Sequence, residues 1–186
     1  MVNLNDFVIE EGVLKEYNGK GGNVVIPDGV TQISDAVFFN CKKLTNVTIP
    51  NSVTRIGESA FGYCAKLNSI ITPNNVRKIS DGMFFKCHKL TSVCIPDSAT
   101  THIGNSAFGH CKKLESINIP NSVYYIDENA FFGCKKLKYV TILNNEILID
   151  PTAFDNCNKK LKIRAHEGSP GERFAKENGL AFEAIK

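Results

Sequence analysis

Tryptophan is absent from this chain, methionine occurs twice, and no apolar run approaches the roughly 18 residues that a membrane-spanning helix needs. The last absence predicts a protein that does not insert into a bilayer. Charge of one sign is also scarce: 22 basic residues stand against 19 acidic ones, a balance of +3 that predicts no nucleic-acid partner from bulk charge. The opening stretch MVNLNDFVIEEGVLKEY lacks the basic region, apolar stretch and small-residue cleavage site of a signal peptide, so no export signal is expected in it. Catalytic motifs are missing too. There is no G-x-S-x-G, no H-E-x-x-H and no Walker loop, GKGG at 19–22 having the wrong spacing. These absences predict a chain that is not an enzyme and carries no cofactor.

What is present is a period. Cysteines stand at 41, 64, 87, 111, 134 and 157, at intervals of 23 or 24 residues, and self-similarity at such a spacing marks a solenoid. The neighbours repeat in step. Ile33, Ile56, Ile79, Ile103, Ile126 and Ile149 form one series, and Phe38, Phe61, Phe84, Phe108, Phe131 and Phe154 another. Prolines recur at 27, 50, 73, 96 and 120, with Leu143 in the sixth place. At 186 residues the chain is long enough for one domain with a substantial core.

Each unit reads mechanically. LTNVTIP places Leu44, Val47 and Ile49 in an L-x-x-L-x-L arrangement, a short strand alternating inward and outward residues and stacking on parallel neighbours. The SVTRI stretch after the proline predicts a second, shorter strand. Ser34, Gly57, Ser80, Gly104, Asp127 and Asp150 then resemble helix N-caps, and each is followed by an acid, an amide or Pro151. Lysines at 43, 66, 89, 113, 136 and 159 stand where such a helix would end. The spacing therefore predicts a short helix in every coil, with phenylalanine and cysteine on its core face.

The ends differ, as a stack with apolar terminal faces requires. Residues 1–26 predict an N-terminal cap built on a hairpin around Gly12, with NGKGG as a second turn; residues 27–165 are the repeats. Residues 166–186 predict a C-terminal cap. Ser169 is the helix N-cap, Pro170 the first helical residue, Glu172 the capping-box partner and Gly179 the stop, with one last strand beyond. The whole, 1–186, is expected to be a single domain.

The unit LTNVTIPNSVTRIGESAFGYCAK resembles the BspA-like leucine-rich repeat, also called the Treponema pallidum type, and the resemblance runs over about the whole chain. It implies an α/β repeat fold: a right-handed solenoid with parallel strands on the concave face and short helices opposite. It also implies a non-enzymatic module binding a protein or glycoprotein ligand, in many members at the cell surface or outside it, in adhesion to host matrix or other cells. An intracellular scaffold is the alternative, favoured by the missing export signal and by reduced cysteines. The chain departs from the pattern at Leu143 and in NNEILID, where Glu146 takes the usual valine's place, so a less regular sixth coil is expected.

Four features compete as sites. The cysteine ladder reads as small apolar side chains in the core: coils about 4.8 Å apart hold thiols in a line, unsuited to disulfides or tetrahedral zinc. His88 and His110 adjoin ladder cysteines, but in a series otherwise mainly of surface residues. The lysine line could meet a linear polyanion, although helix-dipole complementarity and solubility account for it more simply. The concave face is the expected partner surface. Its outward residues are Asn46 and Thr48, Ser69 and Ile71, Ser92 and Cys94, Ser116 and Asn118, Tyr139 and Thr141, Lys162 and Arg164. The C-terminal group of Tyr139, Lys162 and Arg164 is the first place to expect contact. Cys94, outside the ladder, is expected to be the most reactive thiol.

Overall fold

A computed structural model describes residues 4–186. The chain enters through an antiparallel hairpin, β1 (Phe7–Glu10) and β2 (Val13–Tyr17), turning at Glu11 and Gly12, both at positive φ. It then winds as a parallel solenoid of about seven turns. One wall carries the longer strands β3 (Gly22–Val25), β5 (Leu44–Thr48), β7 (Ser69–Ile71), β9 (Ser92–Cys94), β11 (Ser116–Ile119), β13 (Tyr139–Ile142) and β15 (Lys162–Ala165). A second wall carries the two-residue strands β4 (Gln32–Ile33), β6 (Arg55–Ile56), β8 (Lys78–Ile79), β10 (His102–Ile103), β12 (Tyr125–Ile126) and β14 (Leu148–Ile149). The long-strand wall is hydrogen-bonded in three sections (β3–β5, β7–β9 and β11–β13–β15) and the short-strand wall in two (β4–β6 and β8–β10–β12–β14), and each bonded pair is parallel, for example Ile103 opposite Ile79 and Ile126.

The third wall differs from expectation. No short helix forms between a two-residue strand and the next long strand; the segment is a ladder of turns, and the described residues contain one α-helix, α1 (Pro170–Glu177). The reason is where the backbone N–H groups go. Those of Ala36, Phe38 and Asn40 donate across to the carbonyls of Glu58, Ala60 and Gly62 in the next coil, at 2.8–2.9 Å. The N–H groups of Phe39 and Cys41 close turns three residues back, to the carbonyls of Ala36 and Phe38. Two residues four apart sit at positive φ in the segment, Ala36 at 57° and Asn40 at 58°, and Ser59 and Tyr63 repeat the pair one coil on. An α-helix would spend every donor within its own coil. The acid that follows the N-cap-like residue serves the ladder instead: the Asp35 carboxylate accepts the backbone N–H of Glu58 at 2.9 Å. Gly57 has no alternative, since a Cβ there would stand 2.2 Å from that carboxylate and 2.4 Å from the Asp35 nitrogen.

The core is one contiguous cluster from Leu14 to Ala175. Its spine is a column of phenylalanines, Phe38 to Phe154, with ring centroids 5.0–5.7 Å apart and planes within 14° of parallel. The caps complete the column with tilted rings, Tyr17 of β2 against Phe38 and Phe174 of α1 against Phe154. Beside it run the cysteines. Cys64, Cys87, Cys111 and Cys134 are fully buried, and each thiol donates to the backbone carbonyl of the phenylalanine one coil earlier at 3.1–3.3 Å. Cysteine suits the position because it is small and apolar yet carries a weak donor.

The C-terminal cap forms as expected but for one bond: Ser169 Oγ accepts the Glu172 N–H at 3.3 Å, while Glu172 reaches one residue past the N-cap, to Gly168 N–H at 2.6 Å. β16 (Ala181–Ala184) closes the sheet against β15. The sixth coil is mended. Ile147, not a residue at the place of Glu146, enters the core, and buried Asn144 donates to the Val123 carbonyl at 2.9 Å while accepting the Glu146 N–H.

Candidate functional site

The register places the outward side chains of the long strands in two columns. One pairs Asn23 with Asn46, Ser69 with Ser92, and Ser116 with Tyr139 and then Lys162. The other pairs Val25 with Thr48, Ile71 with Cys94, and Asn118 with Thr141 and then Arg164. The two columns change character along the solenoid. From Asn46 to Asn118 the outward residues are exposed; Ile71 shows 68% of its surface, unusual for so apolar a residue.

The C-terminal end is closed. Tyr139, Thr141, Lys162 and Arg164 are half-buried. Glu183 of β16, in register with Arg164, takes Lys162 Nζ at 2.8 Å and lies 2.9 Å from Arg164 Nε. The Arg164 guanidinium sits over the Tyr139 ring, 4.0 Å from its centroid. The hydrogen bond from Lys162, aided by the charge of Arg164, holds the Glu183 carboxyl below its ordinary range. The aromatic and cationic groups expected to receive a partner are thus already partnered. Glu183 escaped the sequence reading because β16 lies outside the 23-residue period; the alternation in AFEA was the available signal.

The turn wall carries a second aromatic ladder that the sequence reading missed. Phe39, Tyr63, Phe85, His110 and Phe132 meet edge to face, with centroids 5.1–5.6 Å apart and interplanar angles of 60–80°. The ring comes from the residue after the core phenylalanine in one coil and from the second residue after it in the next. Glycine makes the room: a Cβ at Gly109 would lie 2.8 Å from the Phe85 ring, and one at Gly133, 2.7 Å from His110. His88 and His110 do not converge. His110 is held in this ladder, and His88 Nδ1 lies 3.2 Å from the His110 carbonyl oxygen.

Thiol chemistry divides along the same lines. All seven cysteines are free, and Cys94 is exposed. Burial pushes the Cys64 thiol up to about 12 and those of Cys87 and Cys111 well above the ordinary value. Cys41 and Cys157, at the ladder's ends, are half-buried; burial raises the Cys41 thiol, and Cys157 donates to the Phe131 carbonyl at 3.1 Å. At the edge where the two-residue strands enter the turns, a depression of about 560 Å³ is lined by Asp81, Asn105, Asp127, Glu128 and Asp150. Asp127 is engaged there with His102 at 2.6 Å, and Glu128 with Asn105. Among the described residues no three or more His, Cys, Asp or Glu side chains form a group able to hold a metal.

Parallel strands stacked at this period, with an outward strand face and sealed ends, define a leucine-rich repeat solenoid. Six copies of the BspA type leucine-rich repeat region match residues 9–113 and 101–169, and the chain belongs to that family. A leucine-rich repeat protein of Bacteroides ovatus is 30% identical over 88% of this chain, with a TM-score of 0.74. The T. pallidum leucine-rich repeat protein is 27% identical over 92% of this chain and 89% of its own length, with a TM-score of 0.68. The pneumococcal vaccine antigen PcpA, 19% identical over 97% of this chain at a TM-score of 0.81, shares the fold. The chain spans less than half the length of the B. ovatus and pneumococcal proteins, 42% and 46%. Among curated proteins nothing matches.

Proposed function

We propose that this chain is a non-enzymatic binding module that engages a protein or glycoprotein through the outward face of its long strands and serves in adhesion at the cell surface to matrix proteins or to other cells. Family membership supports the binding role. The observation that carries the choice of surface is the exposed run from Asn46 to Asn118, with Ile71 at its centre open to solvent and Cys94 exposed beside it. An apolar side chain in a field of small neutral groups is inexpensive to desolvate. The centre of contact therefore lies in the N-terminal two-thirds of the face, away from the Tyr139–Arg164–Glu183 cluster.

Immobilised fibronectin, laminin and collagen, probed with the wild type, Ile71→Asn and Ser92→Arg, test this reading. Binding to at least one matrix protein, lost in both variants with unchanged thermal stability, is the expected outcome; binding that both variants retain excludes the strand face. A second reading, an intracellular scaffold, is favoured by one observation: all seven thiols are free, including exposed Cys94. Antibody labelling of intact against permeabilised cells separates the two, surface labelling supporting adhesion and labelling after permeabilisation alone supporting the scaffold.

A further inference from the structure

The charge of the molecule is segregated, not small. The six turn segments from core phenylalanine to leucine (38–44, 61–67, 84–90, 108–114, 131–137 and 154–161) hold 11 lysines, no arginine and one acid, Asp155. The remainder of the chain accordingly holds 11 basic and 18 acidic residues, so the overall +3 is the sum of a turn edge at +10 and a remainder at −7. Lys43, Lys66, Lys89, Lys113, Lys136 and Lys159 form one exposed column, and most of the other five lie beside it. None of the 11 makes an ion pair among the described residues. Lys86 rests instead against the outer ladder, its ammonium 4.9 Å from the Tyr63 centroid. Helix dipoles cannot account for these lysines, because the segments are turns. Like charges held one coil apart repel, a cost that a bound anion would relieve.

We propose that this lysine edge binds a linear, densely sulfated polysaccharide, at a site separate from the strand face. Four features set that chemistry. The charges form a line instead of converging, which suits a polymer. One coil advances about 4.8 Å, close to the advance of one pyranose in a 1,4-linked chain, whereas a duplex carries one phosphate per about 1.7 Å of its axis on two strands wound around it, not along one line. Nearly two lysines per coil call for more than one anionic group per sugar, beyond what a polymer with one carboxylate per disaccharide supplies. The outer rings meet one another edge to face, leaving no row of open faces for bases to stack on, and the backbone N–H groups of the turns are spent between coils, leaving few for an acidic peptide.

The test uses the whole chain and a heparin fragment long enough to span six coils. Lys89→Gln, Lys113→Gln and Lys136→Gln are combined in one variant; Lys15→Gln, Arg55→Gln and Arg77→Gln, off this edge, form a control of equal charge loss. The wild type is expected to bind heparin with a steep salt dependence. The edge variant should lower the slope of log Kd against log salt by about three, by loss of counterion release, and the control should leave it near the wild-type value. Ile71→Asn should not change heparin binding, which keeps this result independent of the strand-face reading. Equal weakening by both triple variants would reduce the effect to net charge and overturn the proposal. So would binding of hyaluronan, poly-dT or polyglutamate as tight as that of heparin at the same salt. All substitutions are at exposed side chains, and unchanged melting temperatures verify the fold.

Discussion

Two aromatic ladders run side by side along the turn wall, from residues one or two apart in sequence, and they obey different rules. In the inner ladder, Phe38 to Phe154, every coil supplies the same position and the rings stack within 14° of parallel. In the outer ladder the supplying position alternates and the rings meet at 60–80°. An inner ring is enclosed on all sides by core atoms, so the translation from coil to coil dictates its orientation and the ring quadrupole has no say. An outer ring borders water and adopts the edge-to-face arrangement that the quadrupole prefers. The inner ladder is thus a consequence of the fold, while the outer one is chosen on top of it. Surface function is built in the second kind of position.

The sharpest way to break the comparison is to truncate one ring from each ladder in the same coil. Phe84→Ala removes a fully buried side chain between two stacked neighbours and should cost about 3–5 kcal/mol in denaturant-induced unfolding. Phe85→Ala removes a half-buried ring from two edge contacts and should cost about 1 kcal/mol. Equal losses would mean that the outer ladder belongs to the core after all.

Glycine positions sharpen the contrast at smaller cost. Gly57→Ala drives a Cβ against backbone of the preceding coil and should destabilise by about 1–3 kcal/mol. Asp35→Ala should not rescue it, because the Asp35 nitrogen remains 2.4 Å away. Gly109→Ala clashes chiefly with the Phe85 ring, so Phe85→Ala should recover most of its loss in a double-mutant cycle. Recovery in the first cycle, or none in the second, would show the glycines to have another role.

The contrast also explains what could be read in advance. The walls, the inner column and both caps were legible, because Ile33, Phe38, Cys41 and their equivalents recur at one period and the ends carry turn and capping chemistry of their own. The helices were misread. Asp35, Glu58 and the following lysines satisfy the preferences of a helix end, but the same residue types suit a turn, and only the inter-coil hydrogen bonds distinguish the two. The outer ladder was hidden because its rings alternate between two positions, as Phe39 then Tyr63, and no single column of the repeat contains them. At the candidate site, the outward columns were placed by alternation alone. The occupation of Lys162 and Arg164 by Glu183 depends on a strand outside the repeat.

Thiol accessibility measures how closed the inner wall is. Ellman's reagent at pH 8 should find one fast cysteine, Cys94, two of intermediate rate, Cys41 and Cys157, and four that react only on unfolding. Cys94→Ser should remove the fast phase alone. A fast phase of five or more would mean that the inner ladder opens readily.

The smallest expected effect belongs to the outer ladder's histidine. Burial in the ladder, followed by the charges of Lys86, Lys112, His88 and Lys135, lowers the His110 pKa from 6.5. A histidine that is harder to protonate in the folded state leaves stability untouched at pH 8, where it is neutral folded or unfolded. As the pH falls through 6.5 the unfolded chain takes up the proton first, so stability declines until the pH passes below the lowered folded value. The ion-paired carboxylates Glu115, Glu172 and Glu183 have depressed folded values and act in the opposite window: their contribution is present above the ordinary carboxylate range and is lost as the pH falls through the folded values. Melting temperatures of the wild type and His110→Phe, compared between pH 8 and pH 5, isolate the histidine. The variant keeps a ring in the ladder without its proton site, so its melting temperature should fall less over that interval. An identical fall would place the pH dependence of this interval outside His110 and leave the outer ladder electrostatically silent.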